Sequence, residues 1–128
     1  MLKRAATVAI IDDSAIIRYS VNYVLKSKGF PVLFEADNGA VCLEIMTSLA
    51  VFPDILILDI EMPVMDGYTT ASIVKKNWPT IQIIAFSGRE DQASISRSIK
   101  AGADYFFSKN DDLNNLLDLL HKISGNHL

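Results

Sequence analysis

Carboxylates follow two apolar runs in this sequence, at positions where buried strands would end. Asp59 comes directly after residues 55–58, and Asp12 and Asp13 follow residues 7–11. Short apolar runs bounded by polar or turn residues are typical of strands that are covered on both faces, as in parallel sheets. In such sheets, chemistry takes place just beyond the carboxyl ends of the strands. The three aspartates are therefore the first candidates for a functional site.

The elements that must position these aspartates alternate regularly along the chain. Five apolar runs are interpreted as strands, each followed by a helical pattern, at residues 7–11, 31–36, 55–58, 81–86 and 105–107. Alternation of this kind indicates right-handed crossovers and helices on both faces of a parallel sheet. We predict an α/β fold, a flavodoxin-like (βα)5 three-layer sandwich with a five-stranded parallel sheet in the order 2-1-3-4-5. That order places Asp12 and Asp13 next to Asp59.

The predicted helices have polar residues at their ends and apolar residues on one side. Ser14 is the expected N-cap of the first helix, and Asp66 is the expected N-cap of the third. The fourth helix, at residues 90–100, is more polar than the others. The side chains that we expect it to turn inward are Ala93, Ile95 and Ile99. The last helix is expected to bury Leu113, Leu116, Leu117, Leu120 and Ile123.

The composition limits the classes of protein that this chain can represent. Its 128 residues are 50% hydrophobic and 21% charged, which suits one globular domain. A net charge of −3 argues against direct, non-specific binding of nucleic acid. Cys42 is the single cysteine, so no internal disulfide can form, and we expect it to pack as a small apolar side chain. No apolar run approaches the roughly 18 residues of a membrane span, and a cytoplasmic location is predicted.

Three carboxylates at one sheet edge would repel each other unless a cation lies between them. Magnesium prefers carboxylate and phosphate oxygens, so Mg²⁺ is the expected cofactor. The fourth and fifth predicted strands end at Ser87 and just before Lys109, which add a hydroxyl and an ammonium group to the same edge. These groups could neutralise a phosphoryl group while a central carboxylate accepts it as an acyl phosphate. Gly88 would leave room for the phosphodonor.

Several motifs in this order resemble a known family. The motifs are Asp12-Asp13, Asp59 within Asp-Ile-Glu-Met-Pro-Val-Met-Asp-Gly, Ser87-Gly88, Gly102-Ala103 and Lys109. Each motif is weakly specific, but five of them at successive strand ends are a specific combination. The chain resembles a response-regulator receiver domain, the CheY-like phosphoacceptor of two-component signalling. The predicted domain is a single receiver over residues 1–128, with its core at about residues 7–123.

The resemblance implies a signalling domain that promotes only its own phosphorylation and dephosphorylation. Asp59 would accept a phosphoryl group from a sensor histidine kinase or a histidine phosphotransfer protein. Asp12, Asp13, Asp59 and the backbone carbonyl of Glu61 would form the magnesium site. The phosphoryl-binding and switch residues would be Ser87, Gly88, Lys109 and Phe106. An output partner would then bind the fourth helix, fifth strand and fifth helix, and the chain would be a monomer or a phosphorylation-dependent dimer.

The sequence departs from the family pattern at two positions. Asn110 follows Lys109 where proline is usual, which concerns the geometry of the loop before the last helix. Phe106 stands where tyrosine is commoner, so this side chain has no hydroxyl to mark an inward or outward state. Two variable positions, Glu61 and Arg89, each lie two residues beyond a site residue. We expect them to overhang the site, pair with each other and tune dephosphorylation by restricting the attacking water.

Other interpretations of the same residues remain open from the sequence alone. Asp12, Asp13 and Asp59 could each cap a turn or a strand end, and Lys109 could be an ordinary surface lysine. A haloacid dehalogenase-type phosphatase also uses an aspartyl phosphate, but its Asp-x-Asp motif and its cap insert are missing. A flavodoxin relative would need a Ser/Thr-rich phosphate loop after the first strand. A pseudo-receiver that binds a partner without phosphorylation would not require the complete acid set.

Overall fold

The computed structural model describes residues 5–127, so the ends of the predicted domain lie outside the described part. Strands and helices alternate as β1 (Val8–Ile11), α1 (Ala15–Ser27), β2 (Val32–Ala36), α2 (Gly39–Ser48), β3 (Ile55–Asp59), α3 (Gly67–Asn77), β4 (Gln82–Ser87), α4 (Gln92–Ala101), β5 (Tyr105–Ser108) and α5 (Leu113–His127). All neighbouring strands are parallel, in the order β2-β1-β3-β4-β5. The predicted fold and strand order are confirmed. Across residues 5–127, no helix combines the length and hydrophobicity needed to cross a membrane.

Every residue of β1 and β3 is buried, as expected for strands that are covered on both faces. On one side, Ile10 and Ile57 pack in a core with residues of α1 and α5. On the other side, Ile11 and Leu58 pack in a second core with residues of α2 and α3. Side chains of a strand alternate between its faces, so these two cores anchor both sides of the central strands. The carboxyl ends of β1 and β3 are thereby held rigidly at one edge of the sheet.

Local capping fixes where the helices start. Ser14 caps α1, because its side chain accepts the backbone N–H of Ile17 at 3.3 Å. Asp66 caps α3, because its carboxylate accepts the N–H of Thr69 at 2.8 Å. Both predicted caps are confirmed. An N-cap oxygen satisfies one of the backbone N–H groups that the first helical turn leaves without an internal partner.

The residues that α5 buries are those predicted from the sequence, whereas the residues that α4 buries differ in part from the prediction. The leucine-rich stripe of α5 is buried or packed against the core, as predicted. In α4 the prediction is wrong for two of three residues: Ala93 is exposed and Ile99 is 46% exposed, whereas Ile95 is half-buried and Ser98 is buried. The hydroxyl of Ser98 donates to the carbonyl of Ser94 at 2.9 Å, which satisfies its polar group inside the protein. The inner stripe of α4 is therefore partly polar.

Cys42 lies in α2 and is fully buried, as predicted for a small packed side chain. Burial raises the pKa of its thiol to about 12. The nucleophilic form of cysteine is the thiolate, so a thiol with this pKa is chemically inert at neutral pH. Cys42 thus contributes to the core and takes no part in the chemistry at the sheet edge.

A close backbone approach joins the start of α3 to the end of β3. The N–H of Gly67 donates to the carbonyl of Ile60 at 2.9 Å. A Cβ atom on Gly67 would lie 2.3 Å from the carbonyl oxygen of Asp59 and 2.5 Å from the Cα of Ile60. Both contacts are with backbone atoms, which cannot turn away as a flexible side chain could. Glycine is therefore required here for α3 to pack against the strand that carries Asp59.

We predict that Gly67→Ala lowers the free energy of unfolding by about 2 to 4 kcal/mol, because the added methyl group overpacks a backbone contact. Urea unfolding followed by circular dichroism measures the change. Gly88→Ala is the matched control, since a Cβ there would have no described atom within 4 Å. An unchanged unfolding midpoint for Gly67→Ala would contradict the close approach.

Candidate functional site

The strand order brings the three predicted aspartates together. Ile11 of β1 is paired with Leu58 of β3, so the residues that follow them, Asp12 and Asp59, are neighbours at the sheet edge. One carboxylate oxygen from each of Asp12, Asp13 and Asp59 lies within 4.8 Å of the others. Asp12 and Asp59 are 0% and 2% exposed, whereas Asp13 is open to solvent. The cluster therefore combines two buried carboxylates with one accessible carboxylate.

Asp12 is fixed through both its backbone and its side chain. Its N–H donates to the carbonyl of Ala36 at 3.0 Å, and its carbonyl accepts a hydrogen bond from Nη1 of Arg18 at 2.6 Å. Its Oδ1 atom accepts the N–H of Ser14 at 2.9 Å. Its Oδ2 atom lies 2.8 Å from Nζ of Lys109, and beyond this ion pair it has no hydrogen-bond partner among residues 5–127. One buried oxygen of Asp12 is thus directed into the acidic cluster.

Lys109 supplies the cation that the buried aspartates face. Its Nζ atom lies 2.8 Å from Oδ2 of Asp12 and 3.2 Å from Oδ1 of Asp59. Burial disfavours the charge on Lys109, but the contacts with Asp12 and Asp59 outweigh burial and raise its pKa. Lys109 therefore stays protonated at neutral pH. Lys109 follows β5, which is separated from β3 by β4, yet its ammonium group reaches the carboxylates that follow β1 and β3.

The ionisation of Asp59 is held near neutrality by opposing effects. Burial is the larger cause and the nearby charge of Asp12 the second, and together they raise the pKa of Asp59 to about 7. The ammonium of Lys109 opposes them, as does the N–H of Glu61, which donates to Oδ1 of Asp59 at 3.1 Å. Losing water penalises a carboxylate, and a second carboxylate nearby adds repulsion. Without a further cation, Asp59 is only partly ionised at pH 7.

The donor set of this cluster fits magnesium. Three carboxylates and one ammonium leave a formal charge of −2, which a divalent cation would balance. Carboxylate oxygens are the ligands that Mg²⁺ prefers, and the exposed Asp13 leaves an open side where water or phosphate oxygens could complete an octahedron. The otherwise unpartnered Oδ2 of Asp12 supplies a buried donor already aimed at the cluster. Asp12, Asp13 and Asp59 could therefore hold this cation.

Ser87 and Gly88 complete the edge from β4. Ser87 is 3% exposed, and its Oγ accepts the N–H of Arg89 at 3.0 Å. Its backbone carbonyl accepts the N–H of Lys109 at 2.9 Å. A Cβ on Gly88 would meet no described atom within 4 Å, so the space above this residue is open. In this state the hydroxyl of Ser87 is bonded within its own loop.

Asn110 connects two loops of the site. Its Nδ2 donates to the carbonyl of Gly88 at 3.3 Å, and its backbone N–H donates to Oγ of Ser108 at 3.0 Å. Proline, which is usual at this position in the family that the sequence resembles, has neither an amide side chain nor a backbone N–H. The asparagine therefore fixes the loop between β5 and α5 by hydrogen bonds that proline could not make.

Glu61 and Arg89 form an ion pair above the cluster. The Nε of Arg89 lies 3.1 Å from Oε2 of Glu61, and the two side chains are 66% and 50% exposed. Both line a cleft of about 400 Å³ that Asp13 and Tyr68 also border. The pair therefore overhangs the open side of the site, although exposed pairs of this kind contribute little to stability.

Phe106, the predicted switch residue, lies in the strand that ends just before Lys109. It lies in β5 opposite Ala85 and is partly buried against the core on the side of α2 and α3. Its role as a switch stays a prediction.

Arg18 donates a hydrogen bond to the backbone carbonyl of Asp12, and the sequence analysis did not identify it as a site residue. The signal in the sequence was a cation near the start of a helix, where the helix dipole disfavours positive charge.

Comparisons with known proteins give consistent relatives. The family model described as "Response regulator receiver domain" matches residues 8–121. Chemotaxis protein CheY of Bacillus subtilis is 33% identical over 118 residues, 92% of this chain and 97% of that protein. Fimbriae Z protein of Salmonella typhimurium is 31% identical over 94% of this chain, but over only 57% of its own length. A chain of the CheX-CheY-BeF3-Mg+2 complex from Borrelia burgdorferi has a TM-score of 0.87 and 25% identity, with 94% of this chain and 90% of that chain covered.

We predict that Asp59→Asn stabilises the magnesium-free protein in a pH-dependent way. The carboxyl pKa is about 7 in the folded protein and about 3.9 when unfolded. Between these values the folded state holds a proton that the unfolded state has lost, so ionisation of Asp59 reduces stability as pH rises through this window. The advantage of Asp59→Asn over wild type should be about 2 to 4 kcal/mol larger at pH 8 than at pH 4.

Urea unfolding in the presence of a chelator, repeated between pH 4 and pH 8, measures this difference. Asp118→Asn, on the exposed face of α5, is the matched control and should show no growing advantage. A difference between Asp59→Asn and wild type that is constant with pH would mean that folding does not raise the pKa of Asp59.

Proposed function

The chain belongs to the response regulator receiver domain family, and on that basis we propose that Asp59 is the phosphoacceptor of a two-component signalling step. The observation that carries this proposal is the meeting of Asp12, Asp13 and Asp59 with Lys109 at one sheet edge, next to the end of β4. The donor is a phosphohistidine of a sensor histidine kinase or a histidine phosphotransfer protein. A haloacid dehalogenase-type phosphatase is not favoured, because the receiver family model spans residues 8–121.

The transfer uses the carboxylate of Asp59 as the nucleophile. One of its oxygens forms a bond to phosphorus while the phosphorus–nitrogen bond to the donor histidine breaks, and the imidazole leaves with that electron pair. Asp12, Asp13 and Asp59, with the carbonyl of Glu61, would hold a magnesium ion, which neutralises charge on the phosphoryl oxygens. The same positive charge favours the ionised, nucleophilic form of Asp59 over the protonated form.

Two further groups lie where they can contact the phosphoryl oxygens once the phosphoryl group is attached to Asp59. The ammonium of Lys109, at 3.2 Å from Oδ1 of Asp59, moves with little displacement to a phosphoryl oxygen. The hydroxyl of Ser87 exchanges its contact with the N–H of Arg89 for a hydrogen bond donated to another phosphoryl oxygen. Both changes pull the ends of β4 and β5 towards Asp59. Charge-assisted hydrogen bonds of this kind are among the strongest that proteins make.

The output surface of the proposed switch is formed by α4, β5 and α5. Movement of Ser87 opens space that Phe106, in the neighbouring strand, enters. Because α4 has a partly polar inner stripe, few apolar contacts oppose its displacement. The partner bound by this surface is a protein, and a second phosphorylated copy of the chain is one such partner.

We predict that beryllofluoride with Mg²⁺ shifts the backbone amide NMR signals of residues around Asp59, Ser87 and Lys109, and that Asp59→Asn abolishes the shifts. Amide signals are preferable to the fluorescence of Trp78, because Trp78 caps the end of α3 on the opposite edge of the sheet. Asp118→Asn is again the matched control and should respond like wild type. A silent wild-type protein, or an equal response in Asp59→Asn, would exclude the receiver mechanism.

We predict that Glu61→Ala and Arg89→Ala each accelerate loss of the phosphoryl group about three- to tenfold, since each variant removes the ion pair over the open side of the site. The measurement is the decay of the phosphorylated protein in magnesium buffer. Glu90→Ala, beside Arg89 and outside the ion pair, is the control and should decay at the wild-type rate. The double variant should decay no faster than either single variant if the two side chains act as a pair. Wild-type decay in both single variants would rule out this role.

A further inference from the structure

Arg18 joins α1 to the end of β1 and to β2. Its Nη1 donates to the backbone carbonyl of Asp12 at 2.6 Å, and its Nε lies 3.4 Å from Oε1 of Glu35 in β2. The amide of Asn22, one turn further along α1, donates to the other oxygen of Glu35. The side chain of Arg18 is 21% exposed. The guanidinium is therefore held between a carboxylate and the carbonyl of a residue in the acidic cluster.

The position of Arg18 is unfavourable for a helix considered alone. It is the fourth residue of α1, close to the positive end of the helix dipole, where a cation is disfavoured. A partly exposed ion pair with Glu35 gives only weak compensation. The stronger contact is the charge-assisted hydrogen bond to the carbonyl of Asp12, because Asp12 is 0% exposed. The contact that explains this arginine is thus the one to Asp12.

This hydrogen bond acts on the backbone of Asp12, whose other polar groups are already held. Asp12 lies just beyond β1, outside the residues of that strand that pair with β3. Its N–H is held by Ala36 and its Oδ1 by the N–H of Ser14. Arg18 holds the remaining backbone group and so restrains the peptide plane that follows the Cα atom from which the carboxylate projects. We propose that Arg18 is a positioning residue for the cation site, acting through the backbone of Asp12.

This inference rests on the proposed function, because the cation whose site is positioned is Mg²⁺. It also predicts a change in cation affinity opposite to the change that electrostatics alone would give. Removing a positive charge near three carboxylates should strengthen cation binding if electrostatics alone decides the outcome. If Arg18 positions Asp12, its removal weakens cation binding despite the more negative surroundings. Groups that orient metal ligands typically change metal affinity by about 10- to 100-fold when they are removed.

The test compares Mg²⁺ affinities of the full chain by isothermal titration calorimetry and by the amide NMR signals of Asp13 and Glu61. Arg18→Met, which keeps much of the apolar stem, is expected to bind Mg²⁺ about tenfold more weakly than wild type. Arg18→Lys keeps the positive charge and a hydrogen-bond donor on a shorter side chain. Its Mg²⁺ affinity should lie between those of wild type and Arg18→Met. Lys26→Met removes one charge from an exposed position two turns along α1 and should bind like wild type.

The outcomes separate the two proposals. Circular dichroism and urea unfolding establish that each variant is folded, and a purely structural arginine would lower stability while leaving Mg²⁺ affinity unchanged. Wild-type or tighter Mg²⁺ binding by a folded Arg18→Met would overturn the positioning role and leave the proposed function standing. Failure of the wild-type chain to bind Mg²⁺ would overturn both proposals.

Discussion

The functional site depends on the electrostatic repulsion among three carboxylates that the sheet holds close together at the carboxyl ends of its strands. Two of the three are buried, and their strands are fixed between two apolar cores, so the chain cannot relieve the repulsion by moving them apart. Lys109 offsets part of the charge and leaves a net negative site. The uncompensated charge is what makes the edge receptive to a divalent cation. The same charge would repel an incoming phosphoryl group unless that cation is bound.

Hydrogen bonds connect the loop after β4 to the loop after β5. The backbone N–H of Lys109 donates to the carbonyl of Ser87, and the side chain of Asn110 donates to the carbonyl of Gly88. The hydroxyl and the ammonium that could contact a phosphoryl group therefore belong to one connected unit. The hydrogen bonds between these loops give a physical route by which a displacement of one residue would move the other.

Much of the fold was predictable because it follows from buried strands and their ends. The apolar runs before Asp12 and Asp59 defined two central strands, and strand order then brought distant residues together. Ser14 and Asp66 were recognisable as caps because capping is a local interaction. The inward side of α4 was not predictable from apolar spacing, because Ser98 is buried with its hydroxyl satisfied inside the helix. Arg18 was missed because a cation near the start of α1 is only a weak signal, and it does not identify the backbone carbonyl of Asp12 as its partner.

The strand order has a consequence for how the site is divided along the chain. The acids all precede the turn between α3 and β4, whereas Ser87 and Lys109 follow it. A chain severed in that turn would leave the anionic half of the site on one piece and the hydroxyl and cationic half on the other. Neither fragment contains a complete site, and the pairing of β3 with β4 is the seam along which the halves meet. Reconstitution of cation-dependent phosphoryl acceptance from two separate fragments would thus be a direct report of their association.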